Sequence, residues 1–400
     1  MVLLASLYDR IKGFKMSGED INQGAFYKVK KVMRYIRLYG FLRTFVKVKG
    51  QYHMKSIEGF TENIWINKAC KSADNVNRCV AIIGCGYYPY SVIAFYMKSI
   101  NKDFLRCTLD IDRPRARSLC FDYGGVYATD DLDAILSDKQ VKLVFIASNH
   151  SSHAEYAERC IKAGKHVHIE KPHVVSYDQL EELTIAQKCS PDVKVFLGFN
   201  RPRSYLFSCL MEALKLQSGP SMINWFIVGH HLEDNHWYYD AKEGGRILGN
   251  LSHWSDLTLH LVGIENAFPC EIIPATLPGS KSDYIVAINF ADGSAAVISF
   301  SAKGQTATGV RELLNLQKQD CLASLSNFEA LTIDVGDFKK TYKPFYRDHG
   351  HRNNILNSYS SALSSASTGE SLEYIRSTAR FFLAIRDAMA MGEKIVITSE

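Results

Sequence analysis

Residues 78–91, RCVAIIGCGYYPYS, join a short apolar run to two closely spaced glycines. An uninterrupted apolar run is typical of a strand buried on both faces of a parallel sheet. Gly84 permits a sharp turn off such a strand, and Gly86 lets the backbone approach a pyrophosphate at the start of the next helix. The third glycine of this turn type would fall at Pro89. The stretch therefore predicts a strand, turn and helix that bind a dinucleotide.

The sequence after this turn alternates helices with short apolar strands. Strand candidates are residues 104–112, 141–149, 165–172 and 194–200. This alternation predicts a right-handed parallel sheet, so we assign residues 76–200 to a Rossmann dinucleotide-binding domain. Residues 201–400 instead alternate polar with apolar residues and contain the hairpin pair Asp292-Gly293. We predict there an α/β domain with a large, mostly antiparallel open sheet of five to seven strands, whose last helix, near residues 370–392, packs back on the Rossmann domain.

Residues 1–75 precede the alternation and differ from it in charge. Residues 1–56 contain twelve Lys/Arg and three Asp/Glu, a balance of +9, whereas the whole chain carries +5. Apolar residues recur there at helical steps, at Phe26, Val29, Met33 and Ile36. We predict a basic amphipathic extension that docks on the protein or on a second subunit, or lies on a membrane surface. Nucleic acid is not expected, since no nucleic-acid-binding motif accompanies the charge.

The composition is that of a globular protein, with 46% hydrophobic and 22% charged residues in 400. The sequence contains no charge-free run of about 18 apolar residues, so no membrane-spanning helix is predicted. The opening apolar run is too short for a secretory signal. Ten cysteines without CxxC spacing indicate reduced thiols. We expect a cytoplasmic protein, with peripheral contact at the inner face of the membrane left open.

Asp110 ends the second predicted strand, 26 residues after Gly84. A carboxylate there accepts the ribose hydroxyls and repels a 2′-phosphate, which favours NAD over NADP. Asp112 is the alternative carboxylate, and Arg113 or Arg115 could instead bind a phosphate.

Lys171 stands in HVHIEKPHVV, residues 166–175, where a charged pair and a proline follow a buried strand. Ligands of doubly wound sheets bind outside the carboxyl ends of the strands. We therefore expect the Lys171 ammonium in the cofactor cleft, where it can polarise a hydroxyl or carbonyl and share in proton transfer.

Four motifs together resemble the Gfo/Idh/MocA family, the glucose–fructose oxidoreductase and inositol dehydrogenase group, over about residues 77–395. They are the GxG turn, Asn149 to His153, AGKHVHIEKP at 163–172 and GGRILGNLSHWSDLTLHLVG at 244–263. GFNRPRS and GGRILG look closest to members found beside surface-polysaccharide genes. The resemblance implies a Rossmann domain, and a second domain whose open sheet forms homodimer or homotetramer contacts.

By this resemblance the family's catalytic lysine falls on Lys171 and its histidine on His253. The family often has an aspartate four residues before that histidine, where this chain has Gly249. Asp256, three residues after His253, could hold the imidazole or a substrate hydroxyl. The predicted cofactor-binding residues are Gly84, Gly86, Tyr87, Tyr88, Asp110, Ile111, Ser148, Asn149, His153, Glu170 and Lys171. The predicted substrate-binding residues are Arg201, Arg203, Tyr205, Trp237, Asn250, His253 and Asp256.

Two further groups follow from chemistry alone. Arg201, Arg203 and Tyr205 could line the substrate mouth and hold an anionic group such as a sugar-nucleotide phosphate. Trp237, Tyr238 and Tyr239 could stack on a pyranose or pack in the core. His230 and His231 point to opposite faces of a strand, so no metal site is expected.

These features predict hydride transfer between NAD and a ring carbon of a sugar, amino sugar or nucleotide-sugar, in surface-polysaccharide biosynthesis. His253 would remove or return the hydroxyl proton, and Lys171 would stabilise the alkoxide. Two alternatives stay open: an NAD-retaining epimerase, eliminase or glycosidase that uses transient oxidation, and a catalytically silent NAD-binding regulator.

Overall fold

The structure, a computed structural model, describes residues 25–70, 73–305 and 309–399. The described chain divides into two compact units between Phe45 and Val46. Across these described ranges, no helix is both long enough and apolar enough to cross a membrane.

The basic segment of the first unit is helical. Helix α1 (Ala25–Tyr39) ends at Gly40, whose φ of 82° breaks the helix, and helix α2 (Phe41–His53) begins directly after it. The single helix predicted for this segment is therefore two. Apolar side chains of α1, including Val29 and Met33, are exposed.

Seven strands form the first sheet. They are β1 (Ile64–Ile66), β2 (Val80–Ile83), β3 (Leu105–Leu109), β4 (Tyr127–Thr129), β5 (Leu143–Ile146), β6 (His166–Ile169) and β7 (Val195–Leu197). The spatial order is β1-β4-β3-β2-β5-β6-β7, and β2 to β7 are parallel. Helices on this domain are α3 (Ala94–Ile100), α4 (Arg113–Tyr123), α5 (Leu132–Ser137), α6 (His153–Lys162) and α7 (Tyr177–Cys189). The predicted Rossmann fold is confirmed.

Strand β1 comes from the predicted N-terminal extension, residues 1–75. It pairs antiparallel with β4, with Ile64 opposite Thr129. The Thr129 hydroxyl also donates a hydrogen bond to the carbonyl of Asn63 at 2.8 Å. The extension thus supplies an edge strand of the nucleotide-binding sheet. A three-residue strand carries too little alternation to be recognised in the sequence.

Nine strands form the second sheet. They are β8 (Ser221–His230), β9 (Cys270–Pro274), β10 (Asp283–Asn289), β11 (Ala295–Gly304), β12 (Arg311–Lys318), β13 (Cys321–Ser326), β14 (Ala330–Val335), β15 (Phe338–Tyr342) and β16 (Ile395–Ile397). Their order is β15-β14-β13-β12-β8-β11-β10-β9-β16, and only the β8–β11 pair among these described strands is parallel. The mostly antiparallel sheet is confirmed, with more strands than predicted. Gly293, at a φ of 87°, forms the predicted hairpin turn between β10 and β11.

The second sheet is covered on one face by helices, and the last two helices return to the Rossmann domain. The helices are α8 (Tyr205–Leu214), α9 (Ser252–Val262), α10 (Ile264–Ala267), α11 (His351–Leu363) and α12 (Leu372–Met391). Ser358 of α11 hydrogen-bonds to His168 of β6 at 2.8 Å. Arg386 of α12 donates to the carbonyl of Val175 at 2.6 Å. These contacts join the two halves into one body around the carboxyl ends of the parallel strands.

Candidate active site

A cleft of about 720 Å³ lies at the carboxyl ends of the parallel strands. It opens where β2 has β3 on one side and β5 on the other, which is the ligand-binding position of doubly wound sheets. All eleven residues predicted to bind the cofactor line it, and so does Trp237. The lining also includes the alternatives Asp112 and Arg115. The remaining lining residues are Tyr238, which was predicted as a stacking surface, and seven that were not predicted: Met54, Ile83, Pro89, Leu109, Ala147, His150 and Tyr156.

The two glycines of the first turn have different roles. Gly84 has a φ of 83°, and a Cβ there would lie 2.5 Å from both the Ala147 carbonyl oxygen and the Ser148 nitrogen. Only glycine lets these two backbone segments approach so closely. A Cβ on Gly86 would meet no atom within 4 Å. The space over Gly86 is therefore open, as a turn that holds a pyrophosphate requires.

The Asp110 carboxylate organises this turn. Its Oδ2 accepts a hydrogen bond from the backbone N–H of Cys85 at 2.6 Å, and its Oδ1 accepts from the N–H of Asp112 at 2.8 Å. Burial raises the pKa of Asp110, and the two N–H donors oppose that shift. Arg115 lines the cleft paired with Asp112 at 2.9 Å, whereas Arg113 pairs with Asp130 at 2.6 Å. Of the two predicted arginine alternatives, Arg115 lines the cleft and Arg113 does not.

Glu243, from the C-terminal half, fixes the loop after β5. Its carboxylate accepts hydrogen bonds from the N–H of Ser151 at 3.0 Å and from the side-chain amide of Asn149 at 2.8 Å. Its backbone carbonyl lies 3.0 Å from Nδ1 of His150. Because a carbonyl can only accept, Nδ1 carries the proton, and in the neutral ring Nε2 is an acceptor.

His150 is a functional candidate that sequence reasoning missed. It lines the cleft and packs against the rings of Trp237 and Tyr238, each with its centroid 4.7 Å away. Burial and the Lys171 ammonium lower the pKa of His150 to about 2, which keeps the ring neutral. A histidine directly after Asn149, at the ligand-binding edge of the sheet, was the available signal.

Lys171 reaches across the cleft to the second half of the chain. Its ammonium donates a hydrogen bond to the backbone carbonyl of Gly249. The Lys171–Pro172 peptide bond is cis, and the Pro172 carbonyl lies 2.8 Å from Nδ1 of His153. Glu170, also at the cleft, lies 3.5 Å from His168. The ammonium is thus held at the cleft wall with N–H groups left to donate to a ligand.

Gly249 has no room for the side chain that the family often carries there. A Cβ would lie 2.6 Å from a ring carbon of Tyr238 and 2.8 Å from Cε1 of His150. These two aromatic rings occupy the space that an aspartate would need. An aspartate at this position would therefore require the rings of Tyr238 and His150 to move.

His253 is the second residue of helix α9, and it is not among the residues that line the cleft. Burial, with the nearby positive charges of Arg201 and Lys171, lowers its pKa well below the ordinary value. Its Nδ1 is buried and has no hydrogen-bond partner among the described residues, and the same holds for Oδ1 of Asn250. Both atoms are therefore buried without a partner, and neither residue lines the cleft, although the charge of Lys171 acts on His253.

Arg201 does not face the cleft. Its guanidinium donates to the buried Glu312 carboxylate at 2.6 Å, and Glu312 also accepts from Trp254 at 3.1 Å and from His349 at 3.0 Å. Although burial opposes ionisation, Arg201 and His349 lower the pKa of Glu312 below its usual range. The prediction that Arg201 binds an anionic substrate is wrong, because this buried network satisfies its charge.

Arg203 and Tyr205 also lie away from the cleft. Arg203 pairs with Glu370 at 3.2 Å and lines a separate cavity of about 240 Å³. Tyr205 begins α8, with its N–H bonded to the Asp348 carboxylate at 3.0 Å. Neither residue can contact a ligand in the main cleft.

Asp256 is likewise a structural residue. Fully buried, it accepts hydrogen bonds from the hydroxyls of Tyr374 at 2.6 Å and Thr378 at 3.3 Å. The role predicted for it beside His253 is wrong, because the α12 helix supplies its partners. Burial raises the pKa of Asp256 to about 8.

Residues within the first half of the chain are similar to known sequences. Residues 78–199 match the sequence model of the Gfo/Idh/MocA oxidoreductase family, which has an NAD-binding Rossmann fold. Uncharacterized oxidoreductase YhhX of Escherichia coli is 44% identical over 61 residues, 15% of this chain and 18% of that protein. Myo-inositol 2-dehydrogenase of Thermotoga maritima is 29% identical over 136 residues, 34% of this chain and 40% of that protein. The chain thus spans less than half the length of these curated relatives.

Solved structures resemble both halves of the chain. A putative NADPH-dependent oxidoreductase from Desulfitobacterium hafniense matches with a TM-score of 0.69 and 17% identity, over 80% of this chain and 97% of that one. GenD2 from gentamicin A biosynthesis, in complex with NAD, matches with a TM-score of 0.68 and 19% identity, over 80% of this chain and 96% of that one. At these identities the likeness shows the fold, a Rossmann domain joined to a domain with a large antiparallel sheet.

The crowding at Gly249 predicts the effect of a single methyl group there. Gly249→Ala should lower the free energy of unfolding by about 1–3 kcal/mol, since the new Cβ overlaps the rings of Tyr238 and His150. Gly86→Ala is the matched control, because its Cβ meets nothing. Urea unfolding of both variants measures the difference. Equal stabilities would show that the space over Gly249 is open.

The buried Asp256 predicts a pH dependence of stability. Its pKa is about 8 in the folded protein and about 3.9 in the unfolded chain. The folded state binds more protons across this window, so this group's contribution to stability falls as pH rises through it. Asp256→Asn keeps an acceptor for Tyr374 but cannot ionise.

We expect the melting temperature of the wild type to fall more than that of Asp256→Asn between about pH 5 and pH 8.5. Burial lowers the pKa of His260 to about 4, so below its ordinary pKa this histidine makes stability fall as the pH falls. His260 is present in both the wild type and Asp256→Asn, so its effect is the same in the two profiles. Parallel pH profiles would contradict the assignment of a neutral Asp256.

Proposed function

We propose that the chain oxidises or reduces a ring carbon of a sugar or cyclitol, because residues 78–199 match the sequence model of the Gfo/Idh/MocA oxidoreductase family, which has an NAD-binding Rossmann fold. One observation carries this proposal. The Lys171 ammonium is held at the wall of the same cleft that the eleven predicted cofactor residues line. A cation fixed beside a nucleotide-binding turn suits a reaction in which a hydroxyl becomes a carbonyl, or the reverse.

Residues of this chain would have separate roles at the reacting hydroxyl. The bound dinucleotide supplies the hydride acceptor or donor. Lys171 donates a hydrogen bond to the substrate oxygen, where negative charge develops. His253, neutral and with an unpartnered Nδ1, accepts or returns the hydroxyl proton. His150 offers a neutral acceptor, Nε2, to a second hydroxyl.

The lining of the cleft supports an uncharged ring as substrate. Trp237 and Tyr238 present aromatic surface next to His150, on which the apolar face of a ring can lie. Arg201 and Arg203, the residues predicted to hold a phosphate, are paired with Glu312 and Glu370 instead. We therefore propose a free sugar or cyclitol, and not the nucleotide-sugar of surface-polysaccharide synthesis that the sequence suggested.

The outer face of the second sheet supports the proposal that the chain self-associates. Phe226 of β8 and Leu313 of β12 are register partners, and both are exposed. Met222 and Leu322 extend this apolar surface along β8 and β13. An apolar sheet face of this extent is typical of an interface between subunits.

Cofactor choice follows from the carboxylates at the end of β3. We propose NAD(H), and expect it to bind at least about tenfold more tightly than NADP(H), because carboxyl groups at Asp110 and Asp112 disfavour a 2′-phosphate there. Calorimetric titration with each dinucleotide measures the ratio. Equal affinities would reassign Arg115 as a phosphate ligand, and Arg115→Ala would then weaken NADP(H) alone.

The chemical proposal predicts separate losses for binding and turnover. Lys171→Ala should lower turnover about 10²- to 10³-fold with little change in NAD affinity, because its charge acts mainly in the transition state. His253→Ala should lower turnover by about 10²- to 10⁴-fold as a missing base. The assay follows reduced-cofactor absorbance with a panel that includes myo-inositol and levoglucosan, the substrates named for related dehydrogenases.

Lys162→Ala, an exposed lysine on α6, is the control and should keep full turnover. Full turnover of both Lys171→Ala and His253→Ala would place the chemistry elsewhere. If substrate is converted but reduced cofactor does not accumulate, the result would favour the alternative in which NAD is reduced and then re-formed within each catalytic cycle.

A further inference from the structure

The end of helix α2 lies against the glycine-rich turn, although it precedes the family-matched region by more than twenty residues. The buried His53 ring has Nε2 2.6 Å from the carbonyl oxygen of Cys85 and Nδ1 2.9 Å from the Ser118 hydroxyl. The carbonyl can only accept, so Nε2 carries the proton and donates. The ring also stacks on Tyr90, with centroids 4.2 Å apart.

Neighbouring residues of α2 contact the same turn. The Tyr87 hydroxyl donates to the carbonyl of Lys47 at 3.2 Å. The position of a Cβ on Gly50 lies 3.0 Å from the Tyr87 ring, so this helix face has space for glycine but little for a larger residue. Met54, directly after the helix, lines the cleft itself. Residues 47–54 therefore form one continuous element along the turn, which we call the N-terminal strap.

The bond from His53 has a consequence for the side of the turn that faces a ligand. In a trans peptide the C=O and N–H of one unit point in opposite directions. When His53 holds the Cys85 carbonyl, the Gly86 N–H of that same unit is aimed the other way. The preceding unit is fixed as well, since the Cys85 N–H donates to Asp110. Both peptide units at Cys85 are thus set before a ligand binds.

We propose that two residues of the N-terminal strap are part of the dinucleotide site: His53 positions the glycine-rich turn, and Met54 contacts the bound nucleotide. The inference rests on the proposed function, because it takes the cleft to hold a nicotinamide dinucleotide. Met54 shares that cleft with Asp110 and Ile111, which directly follow β3, so its contact would be with the adenosine half.

The ring of His53 acts as a neutral donor. Burial lowers the pKa of His53, while the bond to Cys85 opposes this shift. A glutamine at this position can therefore replace the donated hydrogen bond, whereas alanine cannot. This difference separates a positioning role from simple packing.

Titration of the full-length protein with NADH, followed by cofactor fluorescence, tests the strap. His53→Ala should raise the dissociation constant about three- to tenfold, the range expected for one lost hydrogen bond. His53→Gln should recover at least part of that loss. Tyr52→Ala, an exposed neighbour on the same helix, is the control and should bind as the wild type does.

A charge placed on the strap gives a second readout. Met54→Glu should raise the dissociation constant at least about tenfold by repelling the phosphates, and high salt should reduce this effect. Gln51→Glu, an exposed position with the same charge change, is its control. Because Met54 is only partly buried, this variant decides the question if His53→Ala does not fold.

The outcomes separate the two proposals. Wild-type protein that binds neither NADH nor NADPH would overturn the proposed cofactor, and the strap with it. Wild-type protein that binds NADH while His53→Ala and Met54→Glu bind it equally well would overturn the strap alone. Equal losses in His53→Ala and His53→Gln, with Met54→Glu unchanged, would reduce His53 to a packing residue.

Discussion

The close approach of two backbone turns at Gly84 is the constraint on which the cleft depends. Any side chain there would collide with the backbone of Ala147 and Ser148, so the turn after β2 could not lie against the turn after β5. With the turns in contact, the Asp110 carboxylate can reach the Cys85 N–H, and His53 can reach the carbonyl of the same residue. One missing side chain therefore allows the bonds that set the geometry of the turn.

The site is completed by the C-terminal half of the chain, which reaches it through two contacts. Glu243 fixes the loop after β5 through Ser151 and thereby sets the tautomer of His150. The Gly249 carbonyl accepts a hydrogen bond from the Lys171 ammonium. Because acceptor, cation and aromatic surface come from both halves, their spacing depends on how the halves pack. A glycine at 249 permits that packing, since Tyr238 and His150 fill the volume above it.

Burial determines which charged residues are structural. The pairing of Arg201 with Glu312 offsets the cost of removing both charges from water. Oε2 of Glu312 accepts from Arg201 and Trp254, and Oε1 accepts from His349. Asp256 remains neutral more readily than an exposed aspartate and bonds to Tyr374. Arg201, Glu312 and Asp256 are of residue types that often bind substrates. In this protein their hydrogen bonds are made to other residues of the chain.

The sequence alone determined the features that arise between residues close together in the chain. The apolar run before Gly84, the acid ending β3 and the lysine ending β6 predicted a parallel sheet and the lining of its cleft. Tertiary structure decided the partners of residues far apart: His53 meets Cys85 across 32 positions, and Arg201 meets Glu312 across 111. The spacing of apolar residues along the sequence does not predict contacts between residues so far apart. Only the packed fold shows that Met54 and His150 reach the cleft while Arg201 and Asp256 do not, because packing, and not residue type, settles which polar groups remain available to a ligand.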